Sequence, residues 1–322
     1  MQKIFCLLFA LSAFLSTGMA AKADGQFPVT IEHALGSTTI PAEPQRIVTL
    51  GWSGEDVVIA LGKKPVAMTE YGFFQSGIFP WNEERLSGFR PQLSKGETDY
   101  EAIAALRPDL ILAVLSGVDD VAWQRLSAIA PTVVYRSGPW RADWKEQTEL
   151  IGHALGKPQE AHKLITDSAD FLRSLGDAYP VLQGKTFTFA TFFKGANNLV
   201  VYLPSDPRVA ALTELGLTVS PGVAALAEAN PSKISVNVSL EEIERIDSDL
   251  LIMWFGDGGK DAFEAQPLFQ TIGAVKRGSY VALDDPVSVW STSALSVLSI
   301  PYGFPKFVPR LAEAAHRAEQ KQ

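Results

Sequence analysis

Cysteine is almost absent from this 322-residue sequence; the only one is Cys6. Neither a disulfide framework nor a thiolate metal cluster can be built from it. Histidine is scarce as well: His33, His153, His162 and His316 are all there are. His153 and His162 stand nine residues apart, which is not a spacing of paired metal ligands. H-x-x-x-H, C-x-x-C and G-x-S-x-G are missing, and with them the usual marks of metallohydrolases, thiol redox enzymes and serine hydrolases. Gly51-Trp52-Ser53-Gly54 could receive an anion where a strand turns into a helix. It has neither the G-x-G-x-x-G fingerprint nor a Walker lysine, so it reads as a glycine-permitted turn. Positive charge is also short, with 28 basic against 36 acidic residues and a net charge of −8. Without a basic run, nucleic acid and anionic lipid are poor partners. No covalent chemistry, catalytic residue or metal site is expected.

Long apolar runs are missing except at the N-terminus. There Lys3 precedes an apolar stretch over residues 4–15, and Gly18-Met19-Ala20 and Ala21-Lys22-Ala23 offer small residues for cleavage. Residues 1–23 are therefore expected to be a signal peptide cleaved near Ala23, with Ala20 as the alternative. Cys6 lies inside the apolar stretch rather than after a cleavage site, so a lipid anchor is not expected. Removal leaves roughly 300 residues, enough for two domains.

What is present is a rhythm of strands and helices. A hairpin is expected over residues 28–40, then strands at 46–50 and 65–68 around a helix at 55–61. Residues 70–97 read as a long aromatic loop. A strand at 110–115, a helix at 121–130, a strand at 132–135 and a helix at 144–156 follow. Residues 158–179 read as one long helix, with Pro158 at its first position and Ala161, Leu164, Ile165, Leu172, Leu175 and Tyr179 as its apolar stripe. Strands at 185–191, 250–255 and 280–283 and a helix at 208–215 continue the rhythm. Residues 293–319 read as helix interrupted by Pro301, Pro305 and Pro309. The fold class is α/β, with two Rossmann-like lobes, residues 24–157 and 181–322, joined by a single long backbone helix at 158–180.

One phrase occurs twice. Glu101 stands eight residues before Asp109, and Glu241 stands eight before Asp249, each in a capped short helix leading into an apolar strand. Ser239 as N-cap would form a capping box with Glu242, leaving Glu241 exposed at the second helical position. Asp99 as N-cap places Glu101 likewise. Two such acids on two lobes can meet a two-fold partner.

Aromatic and basic residues gather in segments after strands, where ligands bind in open α/β sheets. Trp52, Tyr71, Arg90, Lys95, Arg136 and Trp140 from the first half, with Phe192, Trp254 and Trp290 from the second, are expected to line a cleft. Aromatics supply stacking area and arginines pair with anionic oxygens. Trp144 and Phe255 are the aromatics first expected to be packing residues instead.

The residues 44–50 followed by 55–62, the phrase at 99–112, Ile151-Gly152-His153-Ala154-Leu155-Gly156, residues 238–252, Pro267-Leu268-Phe269, and Ser299-Ile300-Pro301-Tyr302 give the chain its likeness to known proteins. Over nearly all of its exported length it resembles the periplasmic iron-complex binding proteins of ABC importers, which include ferric-siderophore, haem and cobalamin binders. The resemblance implies two lobes on one long helix and a soluble monomer in the periplasm. It implies a ferric siderophore as ligand, with no cofactor, and docking of Glu101 and Glu241 onto arginine pockets of a dimeric ABC permease. The family's hydroxamate pattern has an arginine where this chain has Lys95 and a tyrosine in a loop that here reads Ser116-Gly117-Val118-Asp119, so the chain departs from it. Arginines with tryptophans also suit a catecholate or carboxylate siderophore. Haem or cobalamin, a periplasmic hydrolase on a two-lobed scaffold, and a binder of free metal are the alternatives.

Overall fold

The computed structural model describes residues 27–320. The expected signal peptide, with Cys6 and the cleavage positions, lies outside the described residues. The hairpin forms from β1 (Val29–His33) and β2 (Gly36–Ile40), paired antiparallel.

The first sheet is built from β3 (Ile47–Thr49), α1 (Gly54–Ala60), β4 (Ala67–Thr69), α2 (Pro80–Leu86), β5 (Gln92–Ser94), α3 (Tyr100–Ala105), β6 (Leu110–Ala113), α4 (Asp120–Ser127) and β7 (Thr132–Val134). Its order is β5-β4-β3-β6-β7, and every pairing is parallel. All residues of β3, β6 and β7 are buried, as continuous apolar runs covered on both faces require. The chain winds one way from β3 to β5 and then the other way from β6, so a crevice opens at the carboxyl ends of β3 and β6. The aromatic stretch at 70–97 is not all loop, because it holds α2 and β5. Seven helical residues are too few to display a period, and β5 is a three-residue, half-exposed edge strand.

Two helices lead out of this sheet, α5 (Trp144–Ala154) and α6 (Pro158–Ala178). They pack so closely that a Cβ on Gly152 would collide with the Ala161 methyl group. The 21 residues of α6 span about 32 Å. It buries Ala161, Ser168, Leu172 and Gly176, with Leu164, Ile165 and Leu175 half-buried beside them.

The second sheet follows with β8 (Thr186–Thr191), β9 (Asn198–Tyr202), α7 (Pro207–Thr213), β10 (Thr218–Val219), α8 (Pro221–Ala229), β11 (Ser235–Ser239), a 3-10 segment Leu240–Ile246, β12 (Leu250–Trp254), α9 (Gly259–Glu264), α10 (Gly273–Arg277) and β13 (Tyr280–Leu283). Its order is β11-β9-β8-β12-β13, with β10 beside the start of β8. β9 runs antiparallel to both neighbours. β9 follows β8 with no helix between them, so a reading based on β–α alternation passes over it.

The chain ends in α11 (Pro286–Ser293) and α12 (Ser299–Gln320). Contrary to the sequence expectation, α12 runs unbroken through its prolines. Pro301 and Pro305 are exposed and Pro309 half-buried. A spacing of four keeps the carbonyls they leave unpaired on a face open to water. The opposite face buries Phe304, Phe307, Leu311 and Ala315 and packs on α6, β12 and β13, so one apolar core spans both halves.

The carboxylate of Asp56, fully buried near the start of α1, ties these parts together. It accepts hydrogen bonds from Trp81 Nε1 (2.7 Å) and Asn82 Nδ2 (2.6 Å) on α2, and from Ser296 Oγ (2.5 Å). Ser296 Oγ in turn accepts from the amides of Leu298 and Ser299, where α12 begins. Asp56→Ala would strand three buried donors and is expected to lower unfolding free energy by about 3 kcal/mol. Urea titration of wild type and variant checks this; a loss below about 1 kcal/mol would mean water replaces the carboxylate.

Candidate functional site

The crevice above β3 and β6 is stitched by one bond: the Trp52 amide donates to the Leu115 carbonyl at 2.9 Å. Gly51 (φ 83°) makes the close approach possible, since a Cβ there would strike that same carbonyl oxygen. The turn throws Trp52 outward. Trp140 meets it from the loop after β7, with ring centroids 5.2 Å apart. Its backbone is left-handed (φ 59°) and its amide donates to the Ser116 carbonyl. A bulky residue held in that conformation is strain kept in place by its surroundings. On its other side Trp52 packs on Trp290 at 5.1 Å, and Trp290 on exposed Phe73 at 5.7 Å.

Opposite this arc stands the segment joining β9 to α7. Asp206 caps α7 by accepting from the Arg208 amide. Its carboxylate also takes Arg208 Nε (2.8 Å) and Nη2 (2.7 Å) side by side. The guanidinium lies 3.8 Å over the ring of Tyr202. Burial opposes the charge of Arg208, but the Asp206 carboxylate overrides it and holds the group protonated. Burial raises the Tyr202 pKa; the adjacent guanidinium pulls the other way. Behind Tyr202, Trp254 presents a buried indole N–H that makes no hydrogen bond of ordinary length.

Between the two sides is an open cavity of about 230 Å³. Trp52, Leu115, Trp140 and Gln147 line it from the first half, Tyr202 and Arg208 from the second, and Ser293 and Leu295 from the α11–α12 junction. Two links bridge the halves nearby: Arg141 Nη2 donates to the Ser232 carbonyl, and Lys145 pairs with Glu214 at 3.0 Å.

Beneath the cavity, Gln147 accepts from the Ser53 hydroxyl (2.8 Å) and donates to the Ala142 carbonyl. The Tyr71 hydroxyl donates to Glu55 at 2.7 Å. Burial, then the neighbouring Asp56 charge, pushes Glu55 up to about 8. Burial raises Asp56 too, but its three donors draw it back, so the charge of the pair rests on Asp56.

The residues named from sequence divide accordingly. Trp52 and Trp140 line the cavity, Trp290 backs Trp52, and Trp254 stands behind Tyr202. Tyr71 is a correction, because it is 2% exposed and spent on Glu55 and on stacking with Phe79. Phe192 is another, buried at 1% in a separate core against Phe263. Arg90 precedes β5 and so lies at the amino ends of the parallel strands, away from the cavity. Lys95 and Arg136 follow the two edge strands and pair with Glu70 and Glu149 outside the lining. Trp144 and Phe255 are buried packing residues.

Glu101 and Glu241 are exposed, each at the carboxyl edge of its sheet: Glu101 is the second residue of α3, and Glu241 the second of the 3-10 segment after β11. Asp99 caps the first. The expected capping box at the second does not form. Ser239 accepts from the Glu241 amide, while Glu242 pairs with Arg245 at 2.9 Å. Ser239 is also the last residue of β11, opposite Asn198, and the segment it opens is 3-10.

Sequence reasoning missed Tyr202, Asp206 and Arg208. The signal was Asp206-Pro207-Arg208, an N-cap and proline at a helix start, just after an aromatic strand end. Among the described residues no group of three or more His, Cys, Asp and Glu could hold a metal ion. No helix among them is long and apolar enough to cross a membrane.

A cavity between two α/β halves bridged by one long helix agrees with what known proteins show. The periplasmic binding protein family profile matches residues 82–287. The chain belongs to this family. It is 28% identical over 278 residues to the probable siderophore-binding lipoprotein YfiY of Bacillus subtilis, covering 82% of each chain. It is 25% identical over 294 residues to the ferric enterobactin-binding periplasmic protein FepB of Escherichia coli, covering 85% of this chain and 89% of that one. Among solved structures, Streptococcus pneumoniae PiaA in complex with ferrichrome matches with TM-score 0.80 and 27% identity, over 90% of this chain and 99% of that one. Members of such a family are substrate-binding proteins of importers, so the expected class and two-lobed α/β fold hold.

The raised Glu55 pKa has a consequence for stability. Its folded value, about 8, exceeds its ordinary 4.5, so the folded state holds a proton that the unfolded state gives up. The stabilisation is complete below about pH 4.5 and is lost as pH rises through about 8. Glu55→Gln is expected to flatten this fall in denaturant midpoint between pH 5 and 8.5; an unchanged slope would assign the proton elsewhere.

Proposed function

We propose that this protein captures a ferric siderophore in the cavity between its halves and delivers it to an inner-membrane ABC importer, with no covalent chemistry. The observation that carries the reading is the composition of the cavity, where tryptophans from one half face a tyrosine-stacked arginine from the other. Aromatic faces suit the bulky organic shell of an iron complex, and the guanidinium suits its outward oxygens. Relatives named for siderophore and ferric enterobactin binding support the iron complex, as does the ferrichrome held by PiaA.

In this reading residues 1–23 are removed on export, and the protein works as a periplasmic monomer without a lipid anchor. Residues 24–157 and 181–322 act as lobes on the connection at 158–180. Glu101 and Glu241, at the carboxyl edges of the two sheets, dock on the permease dimer. Trp140→Ala is expected to weaken binding of the cognate ferric siderophore by roughly tenfold or more, read by calorimetry; unchanged affinity would move the site elsewhere. The double substitution Glu101→Arg with Glu241→Arg should leave that affinity intact and abolish siderophore-dependent growth under iron limitation. Collapse of ligand binding instead would make these acids structural.

A further inference from the structure

The cavity carries little net charge. Among the described residues Arg208 is the only basic one in its lining, and Asp206, also in the lining, accepts two hydrogen bonds from its guanidinium, so the pair sums to zero. Asp206 is itself 1% exposed, which keeps the pair dry and close. The nearby cations are committed as well: Lys145 to Glu214 and Arg136 to Glu149. Among the described residues of this rim, Arg141, bonded to the Ser232 carbonyl, and exposed Lys233, between Ser232 and the lining residue Ile234, have no ion pair to a carboxylate, and neither is in the lining. Much of the remaining polarity is neutral. The Ser293 hydroxyl in the lining is buried and without a partner, and Gln147 and Tyr202 add neutral polar groups. These groups can donate to oxygens but cannot balance a charge.

Ferric complexes differ sharply in this respect. Three singly ionised hydroxamates cancel the charge of ferric iron, and the complex is uncharged. Three doubly ionised catecholates leave three negative charges over, and ferric citrate complexes are anionic too. Drawing a multiply charged anion out of water into an aromatic cavity whose lining charges sum to zero leaves its charge uncompensated within the cavity. We propose that the ligand is an uncharged ferric complex of the tris-hydroxamate class, a specificity that rests on the ferric-siderophore reading above. The cavity donors then meet the outward amide and carbonyl oxygens of the ligand. Of the two departures from the hydroxamate pattern, Lys95 pairs with Glu70 outside the lining, and at the loop that lacks the tyrosine Trp140 lies against Gly117 and lines the cavity instead.

The test titrates the mature protein with a ferric tris-hydroxamate, a ferric tris-catecholate and ferric citrate, following tryptophan quenching at about 50 and 500 mM NaCl. The hydroxamate complex is expected to bind at least roughly tenfold tighter than either anion, with an affinity that changes less than about twofold with salt. Asp206→Asn, which uncovers the arginine charge, should narrow the gap by strengthening the anionic complexes. Should that variant misfold, the wild-type salt series decides alone. Tighter binding of the catecholate or citrate complex overturns the charge argument and leaves the siderophore reading standing. Binding of none of the three, with haem or cobalamin bound instead, overturns both.

Discussion

The buried carboxylate of Asp56 is the constraint on which the rest of the molecule depends. A charge withdrawn from water must be fully bonded, and its three donors come from α2 and from the start of α12. Satisfying it draws the C-terminal helix onto the first sheet, although that helix packs chiefly with α6 and the second sheet. The two halves thus share one core because one ion needs ligands from distant parts of the chain. Glu55, its neighbour, cannot be charged at the same time and turns to Tyr71. Tyr71 is thereby withdrawn from the cavity lining.

The cavity follows from that arrangement by short steps. Ser53 begins α1, and its hydroxyl fixes Gln147, which reaches the lining. Gly51 permits the bond that closes β3 against β6, and the same turn exposes Trp52. Across the gap, Asp206 serves as helix cap and counter-ion at once. A capping residue is held by backbone geometry, so the arginine it anchors is placed before any ligand arrives, and less ordering remains to oppose binding.

Much of this was legible in the sequence, and the failures have physical causes. The β–α rhythm, the long helix and the exposed pair of acids followed from local periodicity and capping, which are properties of short windows. Trp52 and Trp140 were found because loops after parallel strands face the crevice. Tyr71 and Phe192 look the same in sequence, but partners distant along the chain bury them: Trp290 against Tyr71, Phe263 against Phe192. Arg90 was misplaced because the short strand β5 after it went unseen, and strand direction decides which end of a sheet a loop occupies. Arg208 was passed over because β9 interrupts the alternation on which the reading relied. Proline spacing in α12 shows the same limit, since whether prolines interrupt a helix depends also on where their unpaired carbonyls point and on how strongly the opposite face is packed.

The long helix α6 has one more consequence. Each of its residues adds about 1.5 Å of length and 100° of rotation. Its residue count therefore sets both the span and the relative azimuth of the outward edges that carry Glu101 and Glu241. The helix is a gauge block: an insertion far from either acid would turn one away from the other, and would shift the two walls of the cavity past each other by the same rotation.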